Sequence, residues 1–188
     1  MPSPFPQIIF GYHGCDRSIG EAVLLGKEKL RPSTNPYDWL GSGLYFWENS
    51  YSRALQWAKE AKKNPKLVKG EVKDPFVLGA LIVAGNCFNL MDAGCNEIIK
   101  NAYNAYFVSH KEDVLPANKG KLRNLDCFMV NHTITWAKEQ FGQEFDTVRG
   151  TFIEGNPVYP ESGFYEQTHI QICVRNTDCI VGYFRPEE

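Results

Sequence analysis

Two short runs concentrate the residue types that could do chemistry: Gly11-Tyr12-His13-Gly14, closing an apolar stretch, and Gly41-Ser42-Gly43-Leu44-Tyr45-Phe46 further along. Glycine directly after a strand-end histidine lets a ligand approach the backbone closely. The second run gives a flexible approach to Tyr45 and Phe46. These two point to opposite faces of a strand, so one can pack in the core while the other lines a cleft. Taken alone, His13 also reads as a cap on the next helix, and Gly41-Ser42-Gly43 as a plain turn. A third run is Thr168-His169-Ile170-Gln171-Ile172-Cys173-Val174. With Ile172 and Val174 toward the core, alternation turns His169 and Gln171 the other way. A carboxylate in such a place stabilises developing positive charge by a preorganised Coulomb term, whereas a neutral amide orients a ligand and supplies only a dipole.

The elements that must position these residues follow from hydrophobic periodicity and breaker residues. Residues 7–12 read as a short buried strand and 16–25 as a helix. Ser18 and Glu21 have capping-box spacing, and Gly26 is the stop. Pro32, Asn35 and Pro36 make 30–39 a loop before a second strand at 43–46. Asn49 or Ser50 then caps a helix running through Lys62, which Asn64-Pro65 ends. The apolar run 76–84 predicts a central strand, 96–108 a helix, 111–126 a surface connection and 128–141 a helix. Segments 148–153, 168–174 and 180–184 read as strands. Helices dominate the first two thirds and strands close the chain, which predicts one α+β domain over residues 1–188.

Composition narrows the class. The chain has 188 residues, 43% of them hydrophobic and 13% aromatic, enough for a sizeable core and outside the disordered range. A net charge of −2 provides no global field toward nucleic acid or membrane. No apolar run is long enough to span a bilayer. The opening Met1-Pro2-Ser3-Pro4-Phe5-Pro6 lacks a signal-peptide layout, so a cytoplasmic location is the expectation. Cysteines 15, 87, 95, 127, 173 and 179 form no CxxC pair and fit no zinc spacing, and are read as buried structural thiols with no metal site. Lys59, Lys62, Lys63, Lys66, Lys69 and Lys73 form the dense basic stretch, read as a solvated helix end or as a phosphate-contacting patch. His132 and Trp136, four apart, read as helix packing.

Together, the first two runs resemble the NAD-binding half of the poly-ADP-ribose-polymerase and diphtheria-toxin class of ADP-ribosyltransferases. The order matches: His13-Gly14, a capped helix with Gly26, a loop, Gly41-Ser42-Gly43-Leu44-Tyr45-Phe46, then Ser50-Tyr51-Ser52-Arg53-Ala54. The resemblance covers the first third of the chain. It implies an ADP-ribosyltransferase-like fold, with two small, mostly antiparallel sheets around an NAD cleft and flanking helices. It also implies NAD as cosubstrate. Gly14 backbone groups would hold the nicotinamide carboxamide, and Tyr45, reached through Gly43, would stack on the ring. Tyr12 or Tyr51 would form a second aromatic wall. His13 would hydrogen-bond the adenosine ribose, and Ser33 would assist at a ribose hydroxyl.

The family's third element is a glutamate at the start of a late strand, holding the nicotinamide ribose. The sequence departs there: Gln171 occupies the matching place, with Glu166, just before the strand, as the alternative. The loop carrying Tyr159, Phe164 and Tyr165 would contact the acceptor. The resemblance thus implies a mono-ADP-ribosyltransferase acting on a macromolecular acceptor, a protein or a DNA or RNA base. By analogy, such a domain would be a toxin or antiphage effector held by a neutralising antitoxin. The competing reading is a non-catalytic NAD or ADP-ribose-binding module of the same fold.

Overall fold

The computed structural model describes residues 8–68 and 70–187. The proline-rich opening, the predicted strand residue Gln7 and Lys69 of the basic stretch lie outside the described residues. The elements in chain order are β1 (Ile8–Asp16), α1 (Arg17–Leu24), β2 (Leu44–Glu48), α2 (Tyr51–Lys63), β3 (Pro75–Val83), β4 (Cys87–Asn89), α3 (Ala93–Ser109), α4 (Asn124–Phe141), β5 (Thr147–Phe152), β6 (His169–Val174) and β7 (Ile180–Phe184). Among the described residues, no helix is long and apolar enough to cross a membrane.

The α+β class holds, but the strands form one mixed seven-stranded sheet, β4-β5-β6-β2-β1-β3-β7, where the resemblance implied two. Among the described residues only β4 and β5 run parallel. The sheet stays continuous because β1 and β2 meet at two register pairs, Gly11 with Glu48 and Tyr12 with Trp47. Beyond Tyr12 the two strands part, while β1 remains paired with β3 along its whole length, from Ile8–Val83 to Asp16–Pro75. The result is two strand blocks, β4-β5-β6-β2 and β1-β3-β7, joined by a short seam.

Alternation fixes two faces. The back face carries Ile9, Phe46, Leu78, Ile82 and Ile172 in one buried cluster. Helix α1 packs there, with the Phe76 ring against Gly20. On the same face Arg149 clamps Glu48 with two bonds, 2.5 and 2.7 Å, across the intervening β6. The front face is covered by α2 over Trp47 and Val77, and by α4 over Val148 and Cys173. Phe128 and Tyr106 sandwich His132 in ring contacts, so His132 is packing, as its spacing predicts.

Several boundaries moved. Strand β1 runs on through His13 to Asp16 because β3 pairs with every residue of it. The cap of α1 is Asp16 rather than the Ser18–Glu21 box: one carboxylate oxygen accepts from Ser18 N and Oγ, the other from Lys73 N and Asp74 N. Strand β4 is three residues long, too short for alternation to reveal. Asp92 caps α3 by accepting from Gly94 and Cys95 N, starting it ahead of residue 96. Helix α4 begins at Asn124, inside the predicted connection, where the Asn118 side chain accepts from Leu125 N.

Candidate functional site

The His13 imidazole lies at the point where β1 and β2 part. Its Nδ1 sits 2.8 Å from the Tyr45 carbonyl oxygen. A carbonyl only accepts, so Nδ1 carries the proton and Nε2 is left as an acceptor. Burial holds the ring below its ordinary pKa, and the bond to Tyr45 O partly opposes that shift. The ring packs against Phe46, 5.7 Å between centroids, and so belongs to the back face. The Tyr45 ring belongs to the front face, in the cluster with Leu40, Val130 and Cys173. The two motif side chains therefore do not share one face; they flank the seam from opposite sides.

Tyr45 is fixed by its hydroxyl, which donates to Gly41 O at 2.7 Å and accepts from Leu40 N at 3.0 Å. Burial pushes the phenol well above its ordinary value. Its glycines answer to packing. A Cβ on Gly14 would stand 2.3 Å from the Ala54 carbonyl of α2, and one on Gly43 would stand 2.5 Å from Cys173 Sγ. Ser33 pairs with Gly43 through two backbone bonds, 2.8 and 3.0 Å, and its hydroxyl donates to Asp38. The loop from Ser33 to Gly43 is thus closed on itself, and it carries Trp39. Tyr12 and Tyr51 contact each other edge to face at 6.1 Å, beyond Trp47 on the front face. Tyr51 borders a surface hollow of about 520 Å³ along α2, with Lys59 and Lys63 of the basic stretch on its rim.

The front face between α2 and α4 holds a polar cluster. Register places Trp47, Gln171 and Gly150 side by side, with His169 beside Phe152. Gln171 is only 8% exposed. Its Oε1 accepts from Trp39 Nε1 at 2.7 Å. Trp39 lies over Gly150, where a Cβ would be 2.9 Å from the indole. Trp39→Phe keeps the ring and removes this donor; it is expected to lower stability by about 1–2 kcal/mol, measured by urea denaturation. His169 Nδ1 donates to Gln167 O at 2.6 Å, leaving its Nε2 as an acceptor. Burial, with nearby Arg53, holds His169 below its usual pKa.

Two side chains of this cluster were not singled out from the sequence. Arg53, on the first turn of α2, is 9% exposed and lies 6.0 Å from the Trp47 ring. Its Nη2 donates to Glu154 Oε2 at 3.0 Å. Its Nε and Nη1, and the Trp47 Nε1, are buried with no hydrogen-bond partner. Glu154 Oε1 accepts from the exposed Lys121 ammonium at 2.6 Å. The signal for Glu154 was present: Gly150, Phe152 and Glu154 alternate onto the face of Gln171. Glu166, in contrast, is exposed, and its carboxylate meets only the Asn156 amides at 3.4 Å.

Four of the six thiols are buried as the sequence reading has them, whereas Cys87 and Cys95 are half-buried. Burial pushes Cys15 and Cys173 up to about 12 and Cys179 to about 11. Among the described residues, no three His, Cys, Asp or Glu side chains are grouped to hold a metal.

An uncharacterized protein of Methanocaldococcus jannaschii is similar to this chain, at 25% identity over 188 residues, spanning 90% of this chain and 83% of the archaeal protein. No protein-family model matches the chain. No solved structure matches it.

Proposed function

We propose that this protein is an NAD-dependent mono-ADP-ribosyltransferase. The observation that carries the reading is the meeting of both motifs at the seam: His13, with Nε2 left as an acceptor, bonds the backbone of Tyr45. NAD lies across the end where β1 and β2 part. His13 Nε2 accepts from the adenosine ribose, with Ser33 nearby on the closed loop. Gly14 backbone holds the carboxamide, and Tyr45, preset by its two hydrogen bonds, walls the nicotinamide. Gln171 orients the nicotinamide ribose through its amide, itself held by Trp39. The glycosidic bond to nicotinamide breaks and its electron pair leaves with nicotinamide. An acceptor nucleophile bonds the anomeric carbon and releases its proton.

The hairpin from Glu154 to Gln167 supports a macromolecular acceptor, a protein or a nucleic-acid base. It projects Val158, Tyr159 and Phe164 at 56, 57 and 72% exposure, and exposed aromatic loops suit recognition. A toxin or antiphage role, with a neutralising partner, remains an analogy drawn from the resemblance. A second reading, a non-catalytic NAD or ADP-ribose module, is favoured by the neutral Gln171 sealed under Trp39. Nicotinamide release from NAD, with labelled NAD offered protein, DNA and RNA pools, separates the two.

Titration calorimetry tests the binding mode. The His13→Ala, Tyr45→Ala double variant is expected to bind NAD more weakly by about 1–3 kcal/mol, the scale of lost aromatic stacking. Unchanged affinity in a folded variant sinks the placement.

A further inference from the structure

We infer that Glu154, rather than a residue of β6, supplies the carboxylate of this site, and that Arg53 positions it; the inference rests on the NAD reading above. Each carboxylate near the site can be weighed by what it touches. Glu166 is exposed and turned to Asn156. Glu48 is locked by Arg149 on the back face. Gln171 is neutral. Glu154 alternates onto the front face after Gly150 and Phe152, and its backbone oxygen accepts from Gln167 N at 3.0 Å, at the root of the hairpin. Its side chain is 18% exposed and meets the buried side of Arg53.

The two oxygens of Glu154 are held unequally. Oε2 is fixed by Arg53, whose side chain is 11% exposed. Oε1 is held only by Lys121, whose side chain is 81% exposed. An ammonium in water contributes little to such a pair and exchanges readily. A ribose hydroxyl displaces Lys121 and donates to Oε1, while Arg53 keeps the carboxylate aimed. The same guanidinium retains two buried nitrogens, Nε and Nη1, without partners, and Trp47 Nε1 is a third. Buried donors require acceptors, and an oxygen-rich ligand at this place supplies them. In the reaction, the bond between the anomeric carbon and nicotinamide nitrogen breaks, the electron pair leaves with nicotinamide, and the Glu154 charge stabilises the cationic sugar. The acceptor nucleophile then bonds the anomeric carbon and passes its proton to water.

The assignment makes Lys121 and Glu154 opposite in effect. Nicotinamide release and NAD affinity are measured on the full chain for Glu154→Gln and Lys121→Met. Glu154→Gln is expected to lose on the order of 10²–10³ in release, the scale of one electrostatic stabiliser, with NAD affinity retained. Lys121→Met is expected to hold or raise release, because it frees Oε1. Should Glu154→Gln fail to fold without its ion pair, Glu154→Asp keeps the charge and withdraws the carboxylate by one methylene; release is then expected to fall at least about tenfold. Full release in a folded Glu154→Gln or Glu154→Asp variant overturns the inference alone. A wild-type protein that neither binds nor cleaves NAD overturns the parent reading, and this one with it.

Discussion

Gln171→Ala is expected to lower nicotinamide release by on the order of 10²-fold, the scale of a misplaced reactant. The amide has two duties. It holds Trp39 over Gly150 through the 2.7 Å bond, and it lies beside Trp47 on the floor of the site. Gln171→Glu keeps the acceptor for Trp39 and adds a charge that stabilises a cationic sugar, so it should retain or raise release. In a Glu154→Gln background, Gln171→Glu should restore part of the lost rate, which a purely structural role for Gln171 does not predict. Glu166→Gln, on the exposed side of the hairpin, should remain near wild type. Full activity in both Gln171→Ala and Glu166→Ala rejects the late strand as part of the site.

Asp16→Ala is expected to cost about 3 kcal/mol of stability, read as a lower urea midpoint with an unchanged slope. The figure combines a lost helix cap of about 1 kcal/mol with two main-chain donors, Lys73 N and Asp74 N, left without their acceptor. Burial alone would raise this carboxyl, but bonds from Ser18, Asp74 and Lys73 outweigh it and bring it from 3.8 down to about 2. The sign follows: a depressed carboxyl stabilises fully above its unfolded value. That stability is lost as pH falls from near 4 through about 2, amounting to about 2 kcal/mol. A stability profile between pH 5 and 2 should be flatter for Asp16→Ala than for wild type. An equally steep profile rejects Asp16 as the titrating group.

The strands and helices with long periodicity were legible in the sequence. Alternation placed His169 and Gln171 opposite Ile172 and Val174, and packing bears this out: Ile172 and Val174 join the back-face cluster, while His169 meets Trp47 and Gln171 meets Trp39 on the front. What escaped depended on distant pairing. Tyr12–Trp47 register keeps the sheet whole, and nothing local to either residue reports it. The opposite faces of His13 and Tyr45 follow from that register too. Asp16 displaced the Ser18 cap because the turn at Lys73 and Asp74 arrives from 57 and 58 residues away. Glu154 was readable by counting on from β5, but Arg53, its partner 101 residues earlier, was not.

The seam between the blocks has a consequence for how the protein comes apart. Block β1-β3-β7 draws on the beginning, middle and end of the chain, and β4-β5-β6-β2 takes what lies between. The backbone therefore laces across the seam at each passage from β1 to β2, β2 to β3, β3 to β4 and β6 to β7. Few hydrogen bonds resist twisting there, so amides around Tyr12 and Trp47 should exchange with deuterium sooner than those in the middle of β3. Yet no cut of the chain frees either block as a contiguous segment. A protease nick in the exposed 111–123 connection should leave the two fragments associated, melting in one cooperative transition.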